Sequence, residues 1–498
     1  MYKFIDINNL EEDILTINNL SYEDLDVRNF RIDINQKCLI DFKNKLTELK
    51  DRSFFIVGDY DVDGISSTSI ICRLLDHLEI KHNYYIPSRI NEGYGLNMSI
   101  IDKLCEYNFD VLLCVDNGIT AKNEIDKAKE LGKDVLIIDH HEYSELPNAD
   151  AIIHPNLLCD DYKDACAAGL CYLLSRCFYE DDYSFVLSGI ASLADIVTVF
   201  KYNRYLIKNA LYLLNTGMYQ NINLLNKSNS YSYKDISFNV VPKINAVSRL
   251  GYNANKLVAY LLSDVGYAKQ MIKEIEAVND ERKSLTSKMY TKANSKVNND
   301  SIILVGDESF NEGLCGLVSA RLTRQYNKPS IVLAKIENVY KGSARSTDSF
   351  NLYEYLYKCK DLFESFGGHD KALGLSISED NYNKLALYLL RNPIEYKEDI
   401  TNVFVLDFRV IDCRMLEIIE SLMPFGNGFE EPLFAIRNNN YYKTYASNKY
   451  PKYNINDSCS AILFDISKDK EEYEYMIGKF TKDTYRKNCV SFLIEDLV

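Results

Sequence analysis

SFFIVGDYDVDG, residues 53–64, is a short apolar run that breaks at Gly58 into Asp59-Tyr60-Asp61-Val62-Asp63-Gly64. An unbroken apolar run of this length reads as a strand buried on both faces, and residues 66–78 after it return to helical periodicity. The same unit recurs downstream. NYYIP (83–87), VLLCVDNG (111–118) and VLIIDHH (135–141) read as further buried strands, with helical segments at 97–107 and 121–131 between them. Such alternation predicts a parallel α/β sheet.

In an open parallel sheet, ligands gather at the carboxyl ends of the strands. All of these strands except NYYIP end in acidic or imidazole groups there: Asp59, Asp61 and Asp63; Asp116-Asn117-Gly118; Asp139-His140-His141. Asp195 closes a further apolar run, SGIASLADIVTV. A single Asp after a strand is more often a helix N-cap than a ligand. Several that converge repel one another and are tolerable only when cations neutralise them. Oxygen ligands with one or two imidazoles suit Mn²⁺ or Mg²⁺ better than zinc. Two such ions about 3.5–4 Å apart would activate water and stabilise in-line displacement at phosphorus. Of the six histidines, His140, His141 and His369 fall inside candidate motifs. His77 and His82 read as solvated surface, and His154 reads equally as a packed group or as support for a site.

The 498 residues leave room for roughly three domains of ~100–200 residues. The formal charge of −15 argues against a nucleic-acid partner unless contact is confined to basic clefts or bound cations. Thirteen cysteines stand as singletons with no C-x-x-C pair, which predicts buried free thiols in a reducing cytosol and no thiolate zinc site. The start, MYKFIDINNLEEDIL, has neither the basic nor the apolar region of a signal peptide. The longest apolar stretch, 184–200, is short for a span and contains Asp195, so a soluble protein is expected. Residues 267–296 are charged and free of Pro and Gly, as a solvent-bridging linker helix would be. An α/β pattern returns over 301–391, and short β-rich runs from about 401 predict a small barrel such as an OB-fold.

GDYDVDGISST, VDNGI, DHHEYSELP and SLADIVTV resemble, in order, the four motifs of the DHH phosphoesterases. The resemblance implies that Asp61, Asp63, Asp116, His140 and Asp195, joined by Asp59, hold two Mn²⁺ or Mg²⁺ ions. Asp116 would bridge them, His141 would face the scissile phosphate, and Asp139 would orient its histidine neighbours. KGSARS (341–346) and FGGHDKALGLSI (366–377) resemble the associated DHHA1 domain, which implies substrate contacts from Ser343, Arg345, Ser346, Gly367, Gly368 and His369. The physical reading agrees: paired glycines let backbone N–H groups approach a phosphate, and a guanidinium offers it a planar fork.

Three further stretches narrow the resemblance to the RecJ branch. NAVSRLG (245–251) resembles the segment before the long helix, which implies that Arg249 contacts a substrate phosphate; NDERKSL (279–285) resembles a stretch of the linker helix, and PFGNGFEEPLFAIRN (424–438) with VSFLIEDLV resembles the OB-fold. The implied architecture is a DHH domain over 1–202, a helical linker region over 203–298, a DHHA1 domain over 299–395 and an OB-fold domain over 396–498. Two departures stand out: Phe310-Asn311-Glu312-Gly313 replaces an aromatic-His-Pro-Gly run, and Ser248 replaces a glycine. The extra C-terminal domain of some relatives is expected to be absent.

The implied reaction is hydrolysis of single-stranded DNA from its 5′ end to 5′-mononucleotides, in DNA repair and recombination. A narrow passage with basic candidates Arg249, Arg321, Arg324, Lys341 and Arg345 would exclude a duplex, and the OB-fold aromatics read either as base-stacking groups or as core. A helicase or single-strand-binding protein is a candidate partner of a cytoplasmic monomer without membrane association. The rival readings are a DHH phosphodiesterase for short oligonucleotides or cyclic dinucleotides, and a catalytically dead DHH-derived binding protein. The second requires lost metal ligands, and every expected one is present.

Overall fold

The computed structural model describes every residue except 229, 396–399 and 484. By its internal contacts the chain forms two units. One comprises Arg31–Val197 and Tyr205–Lys397; the other comprises Met1–Phe30, Thr198–Arg204 and Glu398–Val498.

The first unit holds two sheets. In the N-terminal sheet five strands run parallel in the order His82–Tyr85, Phe54–Val57, Val111–Val115, Asp134–Ile138 and Ala151–Ile153. Phe54–Val57 and Val111–Val115 are buried throughout, as unbroken apolar runs require when helices cover both faces. Ala151–Ile153 is a strand that periodicity missed, because three residues carry no readable period. Helix Val62–His77 is buried along nearly its whole length and packs on helices Ala167–Ser175 and Asp182–Ala194. The apolar run that ends at Asp195 is thus a core helix, and among the described residues no helix is long and apolar enough to cross a membrane.

An ion pair locks this helical layer. Arg73 donates from Nε and Nη2 to Asp181 at 2.6 and 2.9 Å, and Asp181 also caps helix Asp182–Ala194 through the Tyr183 N–H. Burial opposes ionisation of Asp181, yet the Arg73 and Ser184 hydrogen bonds and the Arg73 charge hold its carboxyl below the usual range. The pair therefore stabilises the fold above the unfolded carboxylate value of about 3.9 and fades as pH falls through the folded value. Asp181→Ala is expected to cost about 2–4 kcal/mol, read as a lower urea midpoint at pH 7 that converges on wild type in acid.

Helix Val265–Asn294 matches the expected long helix, but it is more than a solvated linker. Ala268, Met271, Ile272, Ile275 and Val278 are buried toward its start, and Met289 and Ala293 toward its end. This three-and-four spacing makes one apolar stripe, which packs first on helix Val241–Arg249 and then on helix Cys315–Tyr326. The second sheet follows, in the order Ser365–His369, Ala372–Ser378, Val339–Arg345, Ser330–Ile336 and Ile303–Asp307. Only its last pair is parallel.

The other unit is built on an eight-stranded mixed sheet that runs from Tyr2–Asp6 at one edge to Lys443–Ala446 at the other. Tyr2–Asp6 pairs in parallel with Thr401–Leu406, so the first residues group with the C-terminal strands, whereas the sequence division placed them in a domain over 1–202. Arg204 ties residues 198–204 into the same unit. Its buried guanidinium donates to the carbonyls of Leu25, Leu422, Met423 and Pro424 at 2.8–3.0 Å.

Candidate metal centre

The chain leaves strand Phe54–Val57 through Gly58 and enters helix Val62–His77 with Asp61 as its N-cap. Asp61 Oδ1 accepts from the N–H groups of Asp63 and Gly64 at 2.9 and 3.2 Å. The capping role and a ligand role thus fall on one carboxylate, since capping occupies a single oxygen. Gly64 is required by close approach: a Cβ there would stand 2.5 Å from the Asp59 carbonyl oxygen. Asp63, in the first turn, accepts from the N–H groups of Ala167 and Ala168, both at 2.8 Å. The first motif is thereby pinned to the start of a helix a hundred residues later. Asp116 follows strand Val111–Val115 in the left-handed region, at φ +60°. Aspartate tolerates that conformation better than most side chains.

The six expected metal residues are brought together at the carboxyl ends of these strands. Asp116, His140 and His141 form one group, Asp63, His140 and Asp195 a second, and Asp59, Asp61 and Asp116 a third. Within each group the candidate ligand atoms lie within 4.8 Å of one another. His140 Nε2 stands 3.3 Å from Asp116 Oδ1 and 3.7 Å from Asp63 Oδ2, while its Nδ1 is 3.7 Å from Asp195 Oδ2.

The electrostatics are those of a site short of positive charge. Burial, then mutual repulsion, pushes the carboxyls of Asp59, Asp116 and Asp195 well up and that of Asp63 to about 6. Burial holds His140 down at about 4, so its imidazole is neutral and able to ligate. Asp59 Oδ1 and Asp116 Oδ1 are buried without a hydrogen-bond partner. Orphaned carboxylate oxygens facing imidazole nitrogens, with no thiolate among them, fit hard divalent cations.

Asp139 stands behind this cluster. It accepts from the N–H groups of Ile119, His140 and His141 at 3.0, 2.7 and 3.2 Å, and its Oδ1 lies 2.7 Å from His141 Nδ1. Burial works against a charge on His141, but the hydrogen bond and charge of Asp139, with Asp59 and Asp195, raise it to about 9. His141 is therefore a cation at neutral pH beside the carboxylate cluster. His154 proves to be support: its Nε2 is 3.0 Å from the His141 carbonyl oxygen and its Nδ1 accepts from the Asn156 N–H.

Two residues at this site escaped the sequence reading. The Tyr94 hydroxyl donates to the Asp116 carbonyl oxygen at 3.1 Å and lies 3.0 Å from the His141 ring nitrogens. With Nδ1 turned to Asp139, Nε2 is the nitrogen that can donate to Tyr94. Arg89 sits 4.9 Å above the ring of Tyr60, and its charge reaches Asp59. Both occupy the loop after His82–Tyr85, the strand whose end carries no acid. An aromatic held between two glycines, Gly93-Tyr94-Gly95, was the available signal.

Arg249 ends helix Val241–Arg249 and Arg345 ends strand Val339–Arg345. Burial, then the charges of Arg89 and Arg345, lowers Arg249 to about 10; burial and Arg89 likewise lower Arg345. Three guanidinium groups thus gather near the carboxylates. Gly313, in the departed segment, backs onto Arg249, since a Cβ there would stand 2.0 Å from the Arg249 carbonyl oxygen. Glu312 beside it is half-buried and feels both Lys341 and Arg89. Ser343 lies on the same strand as Arg345, whereas the Ser346 hydroxyl is committed to the Phe350 carbonyl at 2.7 Å. Gly367, Gly368 and His369 end an exposed strand, and the charge of His369 reaches His140. Gly368 adopts φ +129°, and a Cβ there would meet the Ala372 carbonyl oxygen at 2.3 Å. Arg321 stacks on Tyr290 at 3.6 Å, while Arg324 and Lys341 are exposed.

Comparison with known proteins agrees with this layout. Residues 53–199 match the DHH family N-terminal domain, 298–391 the DHHA1 domain and 404–496 the RecJ OB domain. A single-stranded-DNA-specific exonuclease RecJ of Bacillus subtilis (strain 168) is 32% identical over 412 residues, 78% of this chain and 52% of the relative. The chain therefore spans about half the length of that relative. RecJ from Thermus thermophilus, solved in complex with Mn²⁺, superposes with a TM-score of 0.85 at 22% identity, covering 100% of this chain and 79% of that one. A crystal structure of an exonuclease RecJ bound to manganese superposes at 0.63 with 27% identity, over 72% of this chain and 96% of that one.

Proposed function

We propose that the chain is a member of the RecJ-type branch of the DHH family and a metal-dependent exonuclease. It hydrolyses single-stranded DNA 5′ to 3′ to 5′-mononucleotides, in repair and recombination. The observation that carries this reading is the convergence of five aspartates and two histidines in three overlapping ligand groups at one sheet rim.

Asp59, Asp61, Asp63, Asp116, His140 and Asp195 would hold two Mn²⁺ or Mg²⁺ ions, which would supply the Lewis acidity that phosphodiester hydrolysis needs. The remaining work falls to the chain's own groups. His141, held by Asp139 through Nδ1 and by Tyr94 through Nε2, sets a positive charge beside the place of the scissile phosphate. Arg249 and Arg345 hold substrate phosphates by planar forks, and Gly367, Gly368 and His369 let backbone and imidazole donors approach. Ser343 adds a hydroxyl donor. Substrate contact confined to a few basic, hydroxyl and backbone donors, on a chain of charge −15, fits an enzyme that admits a strand through a restricted entrance. The bases then need no sequence-specific reader, and stacking suffices.

A polarity assay tests this reading. A long single strand blocked at its 3′ end is expected to be cleared to mononucleotides, and the same strand blocked at its 5′ end to survive. Digestion from the 3′ end, or hydrolysis of a dinucleotide while the long strand persists, rejects the proposal; the latter result would select the short-oligonucleotide phosphodiesterase.

A further inference from the structure

Tyr94 reaches the centre from a weak position in the chain. Gly93 and Gly95 on either side adopt φ +81° and +65°, and glycine loses more backbone freedom on ordering than any other residue. No side chain crowds Gly93, since a Cβ there would meet nothing within 4 Å. Its own backbone bonds, from the Glu92 and Gly93 N–H groups to the Ser88 carbonyl at 2.9 and 3.1 Å, stop short of Tyr94, and a side chain can add the hold they lack.

Glu92, the residue immediately before Gly93, is positioned to do so. Its carboxylate accepts from the Tyr85 hydroxyl, 2.8 Å from each oxygen, and from the Ser88 N–H at 2.7 Å. Lys103, on helix Met98–Leu104, donates to it at 3.2 Å and also to the Tyr85 hydroxyl, while its ammonium lies 4.3 Å from the centroid of the Tyr85 ring. The Glu92 carbonyl in turn accepts from Asn97, the N-cap of that helix, at 2.8 Å. One residue thus joins the end of strand His82–Tyr85, the loop backbone and the next helix. Burial opposes its charge, but the Ser88 N–H, Tyr85 and Lys103 hold the carboxyl below its ordinary range, so the brace is ionised at neutral pH.

We infer that Glu92 is a positioning residue: by bracing the loop between His82–Tyr85 and Met98–Leu104 it keeps the Tyr94 hydroxyl on Asp116 and His141. This rests on the reading of the centre as a phosphodiesterase site. Loss of the brace leaves the metal residues in place, because none of them lies in the loop, but it frees Tyr94 and leaves His141 Nε2 without its acceptor.

The test is a double-mutant cycle with a spectroscopic arm, all in the full chain. Glu92→Gln keeps the shape but has one acceptor oxygen in place of two, so it cannot accept from Ser88 and Lys103 at once, and one of them must face its NH2. It is expected to lower kcat by about 10-fold, the low end for a group behind a ligand. Tyr94→Phe should do the same, and the double variant should lose no more than either alone. In protein labelled at histidine ¹³Cε1, with only six histidines to resolve, the His141 signal in Glu92→Gln should move to its Tyr94→Phe position while His77 stays. Additive losses, or a His141 signal that moves in Tyr94→Phe but not in Glu92→Gln, overturn the inference. Tyr85→Phe, which removes one donor to Glu92, should shift His141 in the same direction and by less, and it serves if Glu92→Gln does not fold. The histidine spectra need no nuclease activity. A wild-type chain inactive on DNA would therefore reject the proposed function while leaving this arm readable.

Discussion

Asp116→Asn is expected to abolish hydrolysis of single-stranded DNA while leaving the metal-free protein at least as stable as wild type. Asp116 belongs to two of the three ligand groups, so one substitution removes a carboxylate that both need. Loss of a group behind a ligand typically costs 10–100-fold, and loss of a shared ligand should exceed about 100-fold. The stability half follows from electrostatics. Asp116 is buried, its Oδ1 has no hydrogen-bond partner, and Asp63, Asp61, Asp59 and Asp195 repel its charge. Removing that charge without cations present relieves repulsion and breaks no side-chain hydrogen bond. Asparagine is the sharper choice over alanine because residue 116 holds φ +60°, which costs alanine roughly 1–2 kcal/mol. Both variants belong in one experiment: single-turnover hydrolysis beside a thermal melt in EDTA. Full activity with a native melt removes Asp116 from the site.

Dialysis against EDTA should inactivate the wild-type enzyme completely, and Mn²⁺ or Mg²⁺ should restore it. The physical ground is the same shortage of positive charge. Four carboxyls at the rim are pushed up by burial and by one another, and cations are the remedy the donor set accepts. Binding to the folded state alone also raises stability, by about 2.7 kcal/mol at a hundredfold excess over Kd. The melting temperature should therefore climb with Mn²⁺ concentration, and this rise should vanish in Asp116→Asn. Recovery of activity by zinc alone would contradict an oxygen-rich site, and full activity in EDTA would remove the metal from the mechanism.

The fold was largely legible because its decisive signals are local. Buried strands such as VLLCV and the helices between them announce a parallel sheet, and a parallel sheet places Asp59, Asp116 and Asp139 at one rim whatever the loops do. Less was legible where the signal is short or non-local. Ala151–Ile153 is too brief to show a period. Tyr2–Asp6 joins a strand that begins at Thr401, and neither sequence carries a mark of the other. The long helix reads as charged on average, and only its packing reveals which stripe is buried.

What the chain determined by itself, then, is the edge at which its candidate ligands meet: strand polarity brings Asp59, Asp61, Asp63, Asp116 and His140 to one rim, while the choice of candidates among the acids there came from the resemblance of the motifs. Tertiary structure alone decided how the acids divide their labour. Asp61 caps its own helix while Asp63 accepts from the start of a helix at Ala167, and Tyr94 and Arg89 arrive from a loop with no periodic signature. The physical reason is range. Hydrophobic periodicity speaks for a strand and its immediate turn, whereas hydrogen bonds between residues a hundred positions apart form only after packing has chosen the neighbours.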